Sequence, residues 1–269
     1  MSKAIAIERA FDRGKAIMVF LTAGDPSMDA TAKFIREIDG VGVDLIEIGI
    51  PFSDPVTEIA ETQAANIRAL EAGANTDSIF DMLSGIRTET TVPILLKTYL
   101  NPIFHYGYEN FCKRCMEVGI SGLVVPDMPF EERKELAYIC EKFSLVLLSA
   151  VAPAERTRIG MISRESRGFI YISAPNLNLQ AVVNESKSQQ ADKGFQRTLS
   201  GIISCIGEET RIPTVLCVSD GSPQMIAEAA SKVDGVMLEN FASGVICKYK
   251  SEASKVLCEY ISELKKLIK

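Results

Sequence analysis

Asp44-Leu45-Ile46-Glu47-Ile48-Gly49-Ile50-Pro51-Phe52-Ser53-Asp54-Pro55 is an apolar run with one carboxylate inside it and a breaker at its end. Residues 44–49 read as a strand, because a short apolar stretch without alternation suits a strand covered on both faces, as in a parallel sheet. Gly49-Ile50-Pro51 stops that strand and opens a loop carrying two more acids, Asp54 and Glu58. A carboxyl buried without a partner is costly, so Glu47 has either a tight set of hydrogen bonds or a chemical task. Two acids near one strand's carboxyl end can divide the roles of proton donor and acceptor.

The same unit recurs on both sides of this stretch. Strand-like runs fall at 17–22, 44–49, 93–98, 122–126, 145–150, 168–173, 213–218 and 234–238. Helix-period segments lie between them at 29–39, 62–72 with 77–87, 108–118, 131–142, 155–165, 195–206 and 223–231, and a last helix spans 251–269. Strands that each lead into a helix, eight times over, predict a closed (β/α)8 TIM barrel in a single domain, residues 1–269. A doubly wound open sheet is the alternative, and the regularity of the units at this length favours closure. Gly42 and Gly119 fall between a helix and the next strand, where glycine ends a helix in a left-handed cap. Residues 3–13 read as an extra N-terminal helix closing the bottom of the barrel. The polar, aperiodic stretch 175–193 follows the sixth strand and predicts a long loop over the active face.

Composition narrows the function. The 269 residues are 47% hydrophobic and 24% charged, with a net charge of -6. The absence of a basic block argues against nucleic acid, and no apolar run approaches the roughly 20 residues that span a bilayer. The N-terminus lacks a signal peptide's apolar stretch, and seven cysteines show no framework spacing, which together predict a reducing cytoplasm. Cys112-Lys113-Arg114-Cys115 has the CxxC form, but it sits in a helical pattern and the chain has one histidine, His105, so no metal site is expected.

The carboxyl ends of the strands collect chemistry-bearing residues. The first offers Phe20, then Thr22-Ala23-Gly24-Asp25-Pro26, and the second offers Glu47. The third gives Tyr99-Leu100-Asn101-Pro102, the fourth Pro126-Asp127-Met128-Pro129, and the sixth Tyr171. Phe20, Tyr99 and Tyr171 are expected to wall an aromatic slot around Glu47, with core packing as the competing reading for each ring.

These stretches, with Phe20-Leu21-Thr22-Ala23-Gly24-Asp25-Pro26, Asn101-Pro102-Ile103-Phe104, Val125-Pro126-Asp127-Met128-Pro129 and Gly168-Phe169-Ile170-Tyr171, resemble the tryptophan synthase α-subunit family over nearly the whole chain. The resemblance implies a TIM barrel that cleaves indole-3-glycerol phosphate to indole and glyceraldehyde 3-phosphate. It implies no cofactor in this chain and a β-subunit partner that carries PLP. Glu47 is then the general acid/base, and Glu58 takes the place of the family's usual aspartate, which bonds the indole N–H. Phe20, Tyr99, Asp127 and Tyr171 are the implied substrate-binding set. Pro51, Asp54, Asn101 and Pro129 match the β-subunit contacts, or serve only as loop geometry.

The departures lie where the family holds phosphate with glycine-rich loops. After the sixth strand the chain reads Ala174-Pro175-Asn176-Leu177-Asn178-Leu179-Gln180, without glycine. After the seventh it reads Cys217-Val218-Ser219-Asp220-Gly221-Ser222, and after the eighth Glu239-Asn240 replaces Gly-Ser. The phosphate site therefore reads as degraded at Leu177, Gln180, Cys217, Ser219, Glu239 and Asn240. At roughly 5 Å and an effective dielectric near 20, two like unit charges cost about 3 kcal/mol, so Glu239 opposes a phosphate. An active lyase, on this substrate or a related indole, and a non-catalytic α-type subunit that activates its β subunit are both open. A different barrel aldolase that has kept only the scaffold is a weaker third reading.

Overall fold

The computed structural model describes residues 7–173, 199–218 and 221–268. Nine parallel strand segments run in the order β5-β4-β3-β2-β1-β9-β8-β7-β6. They are β1 (Ala16–Thr22), β2 (Leu45–Gly49), β3 (Ile94–Lys97), β4 (Gly122–Val124), β5 (Val146–Leu147), β6 (Ser149–Val151), β7 (Ile170–Ile172), β8 (Thr214–Val218) and β9 (Gly235–Leu238). Every predicted strand is present. The fifth is broken at Leu148, so β5 pairs with β4 while β6 pairs with β7. The two halves are one continuous stretch of chain, so nine segments amount to eight strands and the sheet closes on itself. Arg133 pins the break, donating to Leu147 O at 2.7 Å and to Ser149 Oγ at 2.5 Å.

Helices surround the sheet: α1 (Met28–Gly40), α2 (Ala60–Glu71), α3 (Thr76–Ile86), α4 (Leu100–Tyr106), α5 (Tyr108–Glu117), α6 (Lys134–Lys142), α7 (Arg156–Glu165), α8 (Leu199–Glu209), α9 (Pro223–Ala230), α10 (Phe241–Tyr249) and α11 (Ala253–Leu267). Local chemistry accounts for many of the ends. Ser27 and Ser222 cap α1 and α9, and Asn75 with Ser78 forms a capping box on α3. Gly42 and Gly119 have φ of +79° and +75°, the left-handed conformation expected of them.

Two expectations are corrected and two helices are added. The helix predicted over 131–142 begins with a separate 3-10 turn, Phe130–Glu132, and becomes α-helical only at Lys134. The short helices α4 and α10 were not anticipated, because Pro102 and Gly244 weaken their helical pattern. At the N-terminus the described part of the predicted 3–13 helix includes a 3-10 turn, Arg9–Phe11, and residues 1–6 lie outside the described residues. The predicted loop 175–193 also lies outside them. Among the described residues, no helix is long and apolar enough to cross a membrane.

Side-chain alternation along each strand splits the core into two layers. Ile17, Val19 and Leu21 of β1 point outward to the helices, as do Ile46, Ile48, Ile94 and Leu96. Ala16, Met18, Phe20, Leu45, Leu95, Phe169, Tyr171, Val215 and Met237 fill the interior. Ile7 is fully buried in that inner cluster, so the N-terminal segment closes the bottom of the barrel. Close strand approach demands glycine at Gly122, where a Cβ would lie 2.5 Å from Val146 O.

Candidate active site

The inner layer changes character at the carboxyl end of the barrel. Two residues beyond Leu45, Leu95, Val215 and Met237 come Glu47, Lys97, Cys217 and Glu239. With a side-chain period of two, these four face the same interior as the apolar residues beneath them. The register sets Phe20 beside Glu47, and Glu47 beside Leu95. The barrel is thus floored by hydrocarbon and topped by charge. A cavity of about 1150 Å³ opens there, lined by Glu47, Glu58, Lys97, Tyr171, Cys217 and Glu239 among others.

Glu47 is 2% exposed. The Tyr171 hydroxyl donates to its Oε2. Burial raises the Glu47 pKa from 4.5 to about 7, and the opposing pull of Lys97 and Tyr171 only partly offsets it, while Glu239 and Glu58 add to the rise. A carboxyl with a pKa near neutrality can both give and take a proton there. Tyr171 itself is pushed well above the ordinary phenol range, first by burial and then by the Glu47 carboxylate, so it stays a hydrogen-bond donor. The Phe169 ring packs edge-on against Tyr171 at 4.7 Å between centroids and fixes its direction.

Lys97 is the residue that the sequence reading missed. Its Nζ lies 2.5 Å from Glu239 Oε1 and 3.0 Å from Glu58 Oε1. Burial disfavours the ammonium, but Glu239, Glu58 and Glu47 outweigh that and hold its pKa above the usual lysine range. It stands 5.0 Å from the centroid of the Phe20 ring. A signal for it existed: a lysine ends the apolar run Ile94-Leu95-Leu96-Lys97, the same anomaly that singled out Glu47. Glu58 is raised by burial against the pull of Lys97. Its carboxylate, expected from the resemblance to bond the indole N–H, is engaged with that ammonium.

The other predicted residues divide. Phe20 and Tyr99 line a small recess with Glu58 and Lys97 and, unlike Tyr171, do not line the main cavity. The Tyr99 hydroxyl accepts from Thr57 N at 2.9 Å and lies 2.7 Å from Thr57 Oγ1, so it ties down the loop bearing Glu58. Asp127 is exposed and accepts the Leu100 amide at 2.9 Å, at the start of α4. Cys217 lines the cavity, its thiol pushed up by burial and then by Glu239 and Glu47. Asn240 is buried and its Oδ1 accepts from Thr62 Oγ1 at 2.8 Å. Leu177, Gln180 and Ser219 lie outside the described residues. Asp54 and Pro129 are exposed in loops, Asn101 is exposed in the first turn of α4, and Pro51 is buried. Asp25 is 1% exposed and held by Arg68 through two bonds of 2.9 and 2.6 Å, which anchors the loop after β1 to α2. Cys112 and Cys115 are both buried in the core, and Cys112 Sγ lies 3.9 Å from Cys140 Sγ. Among the described residues, no group of histidine, cysteine and acidic side chains could hold a metal ion.

A closed parallel barrel with a buried carboxylate at its carboxyl mouth, beside a cavity, defines a (β/α)8 protein with a candidate site at the end where the strands finish. Comparison with known proteins narrows this class. The family profile described as Tryptophan synthase alpha chain matches residues 8–197. The tryptophan synthase alpha chain of Lacticaseibacillus casei is 33% identical over 243 residues, covering 90% of this chain and 88% of that one. That of Prochlorococcus marinus (strain NATL2A) is 40% identical over 198 residues, covering 71% and 72%. The crystal structure of the alpha subunit from Legionella pneumophila str. Paris superposes with a TM-score of 0.86 at 25% identity, covering 100% of this chain and 98% of that one. The chain belongs to the tryptophan synthase alpha chain family.

Proposed function

We propose that this protein is an α-type carbon–carbon lyase that cleaves indole-3-glycerol phosphate, or a closely related indole substrate, to indole and glyceraldehyde 3-phosphate. The observation that carries this reading is Glu47: buried, held by Tyr171, and brought to a pKa of about 7 inside a cavity of aromatic-ligand size. Cleavage at indole C3 needs a proton delivered to that carbon. The C3–side-chain bond then breaks, its electrons restore the indole ring, and the neighbouring hydroxyl loses its proton as it becomes the aldehyde. One carboxyl can perform both transfers in turn, since it leaves the first step as the base required by the second. Glu58 is the second carboxylate, and contact with the ring N–H requires it to turn from Lys97.

The partner in this reading is a PLP-dependent β subunit, and the working unit is one barrel domain in a cytoplasmic complex. Pro51, Asp54, Asn101 and Pro129 are the contact residues for that subunit in this reading, on segments that follow β2, β3 and β4. Val56 and Phe104 nearby are 75% and 70% exposed, the type of apolar surface that a partner covers. A second reading has its own support. Lys97 occupies Glu58 and places a cation near the ring, where positive charge would develop, and that favours a non-catalytic subunit that docks on the β subunit and stimulates it.

The test is indole release from indole-3-glycerol phosphate by the purified chain, with and without a β subunit. Release abolished by Glu47→Gln supports the lyase. Stimulation of the β reaction with no release supports the activator. Neither signal sinks both.

A further inference from the structure

The mouth of the barrel is crossed by one charge cluster. Lys97, at the end of β3, bonds Glu239, at the end of β9, and Glu58, in the loop after β2. The side chains of Lys97 and Glu58 are 9% and 7% exposed, so their mutual bond is sheltered from solvent, and that of Glu239 is 22% exposed and borders the cavity. In formal charge the cluster holds two carboxylates against one ammonium, and Glu47 lies close enough to feel all three groups. Asn240 beside it is turned inward to Thr62. Among the described residues, the other cations that line the cavity have partners: Arg133 bonds Leu147 and Ser149 at the strand break, and Arg158 pairs with Glu131.

We propose that Glu239 and Lys97 together set the substrate class of this cleft: an indole ligand with an uncharged, hydroxylated side chain in place of a phosphorylated one. The inference rests on the reading of the cleft as an indole site and changes only what hangs from the ring. A phosphate brought to the end of β9 meets the Glu239 carboxylate, and the ammonium that would answer it is already bonded to two acids. Releasing Lys97 to a phosphate would leave Glu58 and Glu239 facing a dianion in a partly dry site. A hydroxyl makes no such demand, because it donates to the open edge of Glu239 and leaves the Lys97 bonds intact.

The experiment measures the affinity of the full chain for indole-3-glycerol and for indole-3-glycerol phosphate at one ionic strength, in the native protein and in Glu239→Gln. The expected native result is that the unphosphorylated compound binds at least as tightly as its phosphate ester. Glu239→Gln, which keeps the shape and removes the charge, is expected to shift the ratio of the two affinities about tenfold toward the phosphate ester. Native preference for the phosphate ester by tenfold or more overturns the inference and leaves the indole reading standing. An unchanged ratio in Glu239→Gln overturns the role given to Glu239. Binding of neither compound overturns the indole reading, and the inference with it.

Discussion

Lys97 Nζ lies 2.5 Å from Glu239 Oε1 and ties the end of the third strand to the end of the last. The two residues are far apart in the chain, and closure of the barrel brings them together across the mouth. The same ammonium holds Glu58 at 3.0 Å, so two strand ends and the loop after β2 are latched by one cation.

Removing that cation strands the acids. Lys97→Met is expected to destabilise the protein by about 3 kcal/mol, the low end of the range for breaking a buried ion pair, because Glu239 retains some solvent. Lys97→Met with Glu239→Gly is expected to recover at least 1 kcal/mol of that loss, since the second change removes one of the stranded carboxylates. Denaturant unfolding of both variants measures the coupling. Simple additivity of the two substitutions would show that the bridge contributes nothing.

Glu47 makes stability depend on pH. Its pKa is 4.5 ordinarily and about 7 in the folded chain, so the folded state holds a proton that the unfolded state has lost across that interval. Stability is therefore full below 4.5 and falls as pH rises through about 7, a gap of roughly 2.5 pH units worth about 3 kcal/mol. Glu47→Gln removes this dependence. Urea unfolding at pH 4.5 and pH 8 should show the variant gaining on the native protein by about that amount at the higher pH.

The same carboxyl governs activity under the lyase reading. Glu47 begins the cycle as the acid, so kcat/KM is expected to fall as pH rises through about 7. Glu47→Gln is expected to lower kcat/KM at least 100-fold, in the range of a lost general acid/base. Stimulation of a β subunit should survive that substitution. A pH profile flat from 6 to 8 would remove Glu47 from the proton transfer.

Arg68 carries a purely structural forecast. Asp25 is 1% exposed, and Arg68 meets it with two nitrogens. Arg68→Ala leaves a buried carboxylate uncompensated and is expected to cost about 3 kcal/mol, with little recovery in Arg68→Lys, which cannot reproduce the fork. Thermal unfolding of the two variants decides the matter.

The sequence by itself determined the barrel. All eight strands, their order and the place of Glu47 in the second of them follow from apolar runs separated by helical segments, because local patterning repeats in every unit. A carboxylate inside a continuous apolar run also made Glu47 visible within one strand. The helices α4 and α10 escaped because they are short and their stability comes from packing, not propensity. The break at Leu148 escaped because it comes from closing the sheet, which no single strand encodes. Only the tertiary structure decided who partners whom at the mouth: Tyr171 with Glu47, Lys97 with Glu58 and Glu239, Asn240 with Thr62, and Tyr99 with the loop at Thr57. Each of these pairs joins residues from different units of the barrel. Local pattern fixes which residues form a strand, whereas the charge that a side chain meets is fixed by strands brought together only when the sheet closes.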